Sequence, residues 1–485
     1  MKLHPSLAAM LLLFFLCSFT EKETIITGKV VGNADKLIYS NPHQGTCYPG
    51  FRDTINIDEK GNFELKFNLK QPTFVVLWTN EGKGHYKLLI ERGESYNILF
   101  EADDKVKISG ANEEGQRLYS TLPDPAFISQ QTRDYENESS LDVIHKNIQD
   151  IKSAEISKFE ELLARKSISN SFFELVQKDR ECYYASLESR VLQIKIYNFI
   201  QNNSEINTDN TLSNLGNTYA KYSPNNKDLI SSSFWPEYAR FFIQDYIPFS
   251  KDDFNVDDLK KLYEEEKINT FMINESKKHL RGKALEFFQA TYIHHVSIQN
   301  KFEKELISLF EQFEKDYPAS EYSKYIRPFI APIIDFYNKI DRDYEEDISF
   351  IENSENINTL DEAISSLRGK KIYIDIWATW CGPCKREFEH SEKLNSILKE
   401  KDIQILYISI DKEQDETQWK NLIKYYNLKG KHIRANESFC KELYRMYDEK
   451  NLSIAIPWYI LIDEKGNILQ KEAKHPSEIV LGEDI

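Results

Sequence analysis

The 485-residue sequence predicts a multidomain chain: an N-terminal antiparallel β-sandwich, an all-α middle region and a C-terminal α/β domain. Three observations predict it. Up to about residue 110, short runs alternate apolar and polar residues between Gly, Asn and Asp clusters, the two-residue period of strands. From about 112 to 350 apolar residues recur three and four apart, the period of a helix face. From about 361 apolar strand runs alternate with helical runs, as in an α/β sheet. The expected boundaries are 1–20 for an export signal, 21–110 for the β domain, 111–350 for the helices and 351–485 for the α/β domain.

The first twenty residues have the form of an export signal. Lys2 supplies the positive start, and 7–19 is an apolar run shorter than a membrane span. Ser18 and Thr20 are small residues before a cleavage point at Glu21, whereas Cys17 offers a lipid anchor and an uncleaved run offers a third outcome. Either way the chain is expected in the periplasm or on an envelope membrane, where disulfides matter. A net charge of −16 leaves no basic excess to neutralise phosphates, which argues against a nucleic-acid partner. At 41% hydrophobic residues the chain has the apolar content to build cores.

In the β region, 24–31 is a strand run closed by Gly32-Asn33. Runs 55–57 and 63–67 flank Asp58-Glu59-Lys60-Gly61-Asn62, a hairpin signature with glycine at the position that needs positive φ. Runs 74–78, 86–90 and 96–100 continue the series. In the helical region, Ser139-Ser140 caps a helix carrying Leu141, Ile144, Ile148, Ile151, Phe159 and Leu162. Further helices are expected at 171–201, 236–246, 257–279, 283–299, 302–316 and 320–339. His294 and His295 are adjacent, so they point about 100° apart on a helix and make a poor metal pair.

In the α/β region, strands are expected at 371–377, 403–410 and 458–462, and helices at 383–400, 417–426 and 437–447. Asp463-Glu464-Lys465-Gly466-Asn467 repeats the earlier hairpin pentapeptide, which turn chemistry explains without duplication. After Pro476 only nine residues remain, enough for one or two turns.

The chemistry centres on Trp377-Ala378-Thr379-Trp380-Cys381-Gly382-Pro383-Cys384. A cysteine at a helix N-terminus faces unpaired N–H groups and the helix dipole, which stabilise a thiolate. Lowering a thiol pKa from about 8.5 to about 7 corresponds to about 2 kcal/mol of thiolate stabilisation. Cys381 is therefore the expected nucleophile, and Cys384, one turn on, the resolving thiol. Gly382 is read as permitting the tight turn, and Pro383 suits a first helical turn. The competing use of such a pair, half a zinc site, needs a second ligand pair; Cys440 and His432 are single residues without that spacing. Cys47, Cys182 and Cys440 are widely separated and read as free thiols. Asp375 stands in a strand of Ile, Tyr and Trp, where burying a carboxylate is costly.

The segment from about Leu367 to Leu469 resembles the TlpA/ResA-like branch of the thioredoxin superfamily. The match rests on residues 374–387, from Ile374-Asp375-Ile376-Trp377 to Cys384-Lys385-Arg386-Glu387, and on Ile456-Pro457 before a strand ending Leu461-Ile462-Asp463. About 70 residues separate Cys384 from Pro457, and the helix with Trp419 and Leu422 is similar to that branch's insertion. The resemblance implies a thioredoxin fold and an envelope-facing thiol–disulfide oxidoreductase with no cofactor besides the Cys381–Cys384 disulfide. It implies that Pro457 is a cis-proline facing the cysteines and that Ile456 offers its backbone to an extended substrate. Trp380, Gly382 and Pro383 complete the substrate-contacting set. Asp375 or Glu387 would accept the proton of Cys384. The Trp-Cys-Gly-Pro-Cys motif argues against the peroxidases that share the wider fold. Asp53-Thr54-Ile55 and Gly61-Asn62-Phe63 give the β region a weaker resemblance to a domain of unknown function placed before such domains.

The expected function is reduction of disulfides in cysteine-containing client proteins, with electrons from a membrane thiol donor. The alternative is an envelope binding or scaffold protein whose N-terminal regions capture a partner, with an auxiliary redox site.

Overall fold

A computed structural model describes residues 22–480 except 33, 44, 80–84, 103–104, 203–207 and 252–255. The export signal and Cys17 lie outside the described residues. The chain forms two compact units, one of 1–295 with 311–326 and one of 296–310 with 327–485.

In the first unit eight strands form two four-stranded sheets: β1 (Thr24–Val30), β2 (Lys36–Ser40), β3 (Arg52–Asn56), β4 (Asn62–Phe67), β5 (Thr73–Trp78), β6 (His85–Ile90), β7 (Ser95–Phe100) and β8 (Val106–Gly110). One sheet runs β4-β1-β7-β8 and the other β3-β2-β5-β6. A single apolar cluster draws on both, from Ile26, Phe63 and Ile98 in one to Leu37, Leu77 and Leu88 in the other. The sheets are not wholly antiparallel, because β1 and β7 pair in parallel. Strands β2 and β8 escaped the periodicity; both are five residues long, and Lys36 to Ser40 and Val106 to Gly110 alternate poorly. β5 is buried along its whole length, since Phe74, Val76 and Trp78 join a second cluster with Phe159, Phe172 and Val176 of the helices. Burial on both faces removes the alternation a one-sided strand would show.

Helices at Leu141–Ala164 and Asn170–Asn202 match the expected periods, and the Ser140 side chain accepts the Val143 N–H as N-cap. The helix expected at 257–279 is two, Val256–Glu264 and Ile268–His279. Glu266 sits at φ 54°, and the Lys267 N–H bonds the Leu262 carbonyl, a left-handed stop that the apolar period does not register.

The second unit is built on a six-stranded sheet of β9 (Ile348–Phe350), β10 (Ile372–Trp377), β11 (Gln404–Ser409), β12 (Gly430–Arg434), β13 (Trp458–Ile462) and β14 (Ile468–Gln470). Its order is β14-β13-β10-β11-β12-β9. β10 pairs in parallel with β11 and antiparallel with β13, the centre of a thioredoxin-like sheet. Segments expected in the helical region belong to this unit: Phe302 stacks on Phe336 at 4.5 Å, and both meet Tyr425 of helix Glu416–Tyr426. No helix of the described residues is long and apolar enough to cross a membrane. After Pro476 the described chain forms a turn and no helix.

Candidate active site

All six residues of β10 are buried, so the strand is a fixed platform at the middle of its sheet. Its C-terminal end leads through Ala378-Thr379-Trp380 into helix Gly382–Glu387, whose N-cap is Cys381. The Cys381 N–H bonds the Ala378 carbonyl at 3.0 Å, closing a tight turn. Cys381 Sγ accepts the Cys384 N–H at 3.1 Å, so the sulfur meets a free N–H of the first helical turn. In the reduced protein that contact favours the thiolate over the thiol. Cys381 and Cys384 are joined as a disulfide, with Cα atoms 5.3 Å apart. Cys381 retains 4% of its surface and Cys384 none, which leaves Cys381 as the sulfur an outside partner can reach.

Around the pair, Trp380 is 66% exposed, an apolar ring held out at the surface. Pro383 occupies the first helical turn, where its missing N–H costs nothing. Gly382 is not demanded by the backbone, contrary to the sequence reading. Its φ is not positive, and a Cβ there would come no closer than 3.9 Å to the Arg386 side chain. Glycine instead leaves the surface beside Cys381 free of a side chain. The Ile456–Pro457 peptide bond is cis, immediately before β13, which pairs with β10.

The two acids differ sharply. Asp375 is 1% exposed, and its Oδ1 has no hydrogen-bond partner among the described residues. Its register partners are Tyr407 on β11 and Tyr459 on β13, whose hydroxyls also lack partners. Burial, and secondarily the charge of Glu387, hold the Asp375 carboxyl well above the usual carboxylate range. Glu387 is engaged: its two oxygens accept the Ser477 N–H and hydroxyl, each at 3.0 Å. Asp375 thus has an open oxygen to receive a proton, and Glu387 ties the C-terminal segment to the helix.

Two further groups were not singled out from the sequence. Asp411, just after β11, accepts the Thr379 N–H at 2.9 Å, the Thr379 hydroxyl at 2.8 Å and the Ser409 hydroxyl at 2.7 Å. That buried carboxylate anchors the turn that carries Trp380 and Cys381. The only sequence signal was an acid at the end of an apolar strand. Lys385, next to Cys384, is buried and donates to the Asn300 carbonyl at 3.0 Å. Burial and the neighbouring Lys301 push its ammonium down.

Residues 351–480 match the family model described as Redoxin. The C-terminal unit carries a Redoxin domain. It is similar to thiol–disulfide oxidoreductases of the ResA type. Thiol-disulfide oxidoreductase ResA of Bacillus thuringiensis subsp. konkukian is 29% identical over 108 residues, 22% of this chain and 57% of that protein. ResA of Oceanobacillus iheyensis is 37% identical over 76 residues, 15% of this chain and 40% of that protein. The chain thus spans at most little more than half the length of these curated relatives. Among solved structures, the thioredoxin domain of a thiol-disulfide oxidoreductase from Bacteroides vulgatus is 25% identical. That match covers 23% of this chain and 75% of the other, with a TM-score of 0.20.

Proposed function

We propose that the chain is an exported thiol–disulfide oxidoreductase that reduces disulfides in cysteine-containing proteins. The observation that carries this reading is the Cys381–Cys384 disulfide at a helix N-terminus, with the outer sulfur as N-cap and the inner one enclosed. The reduced Cys381 thiolate attacks one sulfur of a client disulfide, and the client's other sulfur leaves as a thiolate that takes up a proton. Asp375, in its ionised form, accepts the proton of Cys384, whose thiolate attacks Cys381 and expels the second client sulfur. The client gains two electrons and the dithiol becomes a disulfide. Trp380, Pro383 and the open surface at Gly382 form the contact face, with the Ile456 backbone pairing an extended client segment. A membrane thiol donor returns the pair to its reduced form. The periplasm or envelope surface, with or without a lipid on Cys17, is the proposed location.

The test is the reduction potential of the pair, by redox-buffer titration with alkylation. A value near about −270 mV supports a reductase, and one near about −120 mV an oxidant. Failure of the disulfide to form at any poise rejects the redox reading. A Cys384→Ser variant, unable to resolve, should accumulate mixed disulfides through Cys381.

The second reading, a binding protein with an auxiliary redox site, is favoured by a cavity in the first unit.

A further inference from the structure

The first unit contains a cavity of about 380 Å³, inside the size range of small-molecule sites. One wall is the face of the β3-β2-β5-β6 sheet presented by Arg52, Trp78 and Lys87. The opposite wall comes from helix Trp235–Phe241 and helix Gly282–Ser297, and Phe127 completes the rim. Aromatic rings of Trp78, Phe127, Phe234, Phe288 and Tyr292 supply the apolar surface, and Phe127 is 51% exposed.

Lining this cavity are three cations, Arg52, Lys87 and Arg240, and two carboxylates, Asp124 and Glu237. Lys87 is fully engaged: its Nζ donates to Ser233 at 2.7 Å and meets Asp124 and Asp179, each at 3.5 Å. Asp124 also takes His85 at 3.0 Å. Arg52 and Arg240 differ. Arg52 lies over the Trp78 ring at 4.6 Å, gives only its Nε to the Pro49 carbonyl, and has no carboxylate partner among the described residues. Arg240 donates Nη1 to the Gln244 side chain at 3.5 Å and meets Glu237 only at 3.7 Å, while Glu237 accepts the Ile128 N–H. Both guanidiniums line the cavity together with Tyr48. His295 lines the cavity too, and burial with Arg240 nearby pushes it down to about 4, so it is neutral at pH 7.

We infer that this cavity binds a small organic anion, a carboxylate on an aromatic or other apolar body. The anion would be held by the guanidiniums of Arg52 and Arg240, and the body by the rings around Trp78. Planar guanidinium donors match a carboxylate's two oxygens. A protein of net charge −16 that keeps two under-paired arginines beside stacked aromatics has concentrated positive potential locally.

The test uses the full chain and the fluorescent probe anilinonaphthalene sulfonate, displaced by naphthaleneacetate or by naphthaleneethanol, which has the same rings without the charge. The wild type should bind the probe saturably, and naphthaleneacetate should displace it about tenfold more effectively than the alcohol. In an Arg52→Gln/Arg240→Gln double variant, naphthaleneacetate should weaken about tenfold or more while the alcohol changes little. Both side chains reach the surface, so the variant should melt as the wild type does. Equal competition by acid and alcohol, unaltered binding of the acid by the variant, or no saturable probe binding would each overturn the assignment.

Discussion

Replacing Asp375 with asparagine should change how stability depends on pH. The carboxyl is 1% exposed, one oxygen has no partner, and the facing Tyr407 and Tyr459 hydroxyls make no hydrogen bond to it. Its folded pKa therefore lies well above its ordinary value of 3.8. Below that ordinary value both folded and unfolded chains hold the proton, and the group costs no pH-dependent free energy. Above it the unfolded chain releases the proton while the fold retains it, so stability falls as pH rises until the folded group ionises. One proton of difference is about 1.4 kcal/mol per pH unit, or about 2.7 kcal/mol over two units in which the fold keeps it. Asparagine mimics the neutral acid and cannot ionise, so Asp375→Asn removes that slope. Any cost of burying the amide is the same at every pH and does not enter the comparison. Urea denaturation of the oxidised protein, from pH 4 upward, should show the variant gaining on the wild type by up to that slope. A constant difference across the range would refute the burial argument. The same variant should slow resolution of a mixed disulfide by about 10²–10⁴-fold, because it cannot take the Cys384 proton.

Two other perturbations follow from the geometry. Asp411→Ala strands the Thr379 N–H and two buried hydroxyls, so urea unfolding should show a loss of about 1–3 kcal/mol, with slower disulfide reduction because the Cys381 turn loses its anchor. In the reduced native protein, iodoacetamide at pH 8 should label Cys381 first. Cys47, buried and pushed up to about 12, and Cys182, pushed further, should react only after unfolding, and Cys440, half-buried and pushed up to about 11, slowly; mass spectrometry of timed samples distinguishes these orders.

The cavity and the redox site call for separate experiments. They lie in different compact units and use no residue in common. Loss of anion binding in the arginine variant with an unchanged Cys381–Cys384 potential would separate the two activities. A chain that binds a carboxylate in one unit and exchanges disulfides in the other would satisfy both functional readings at once.

What the sequence determined is what is local. Asp-Glu-Lys-Gly-Asn occurs twice, and both copies fold alike: the Asn62 and Asn467 N–H groups each bond the preceding aspartate Oδ1 at 2.7 Å, with Gly61 and Gly466 at φ 84° and 95°. The strand, Cys381 as cap and Pro383 in the first turn were likewise legible, because a cap and its helix are a few residues apart. The tertiary structure decided the rest. Asp411 reaches Thr379 across 32 residues, and Asp375 meets Tyr407 and Tyr459 only once three strands are in register. The arginine-lined cavity needs three β-strands and two helices from distant parts of the chain. Turns and caps follow from the conformational preferences of neighbouring residues. The charge environment of a buried acid or a cavity-lining arginine depends on which distant groups packing brings to it, and no short stretch of sequence contains that information.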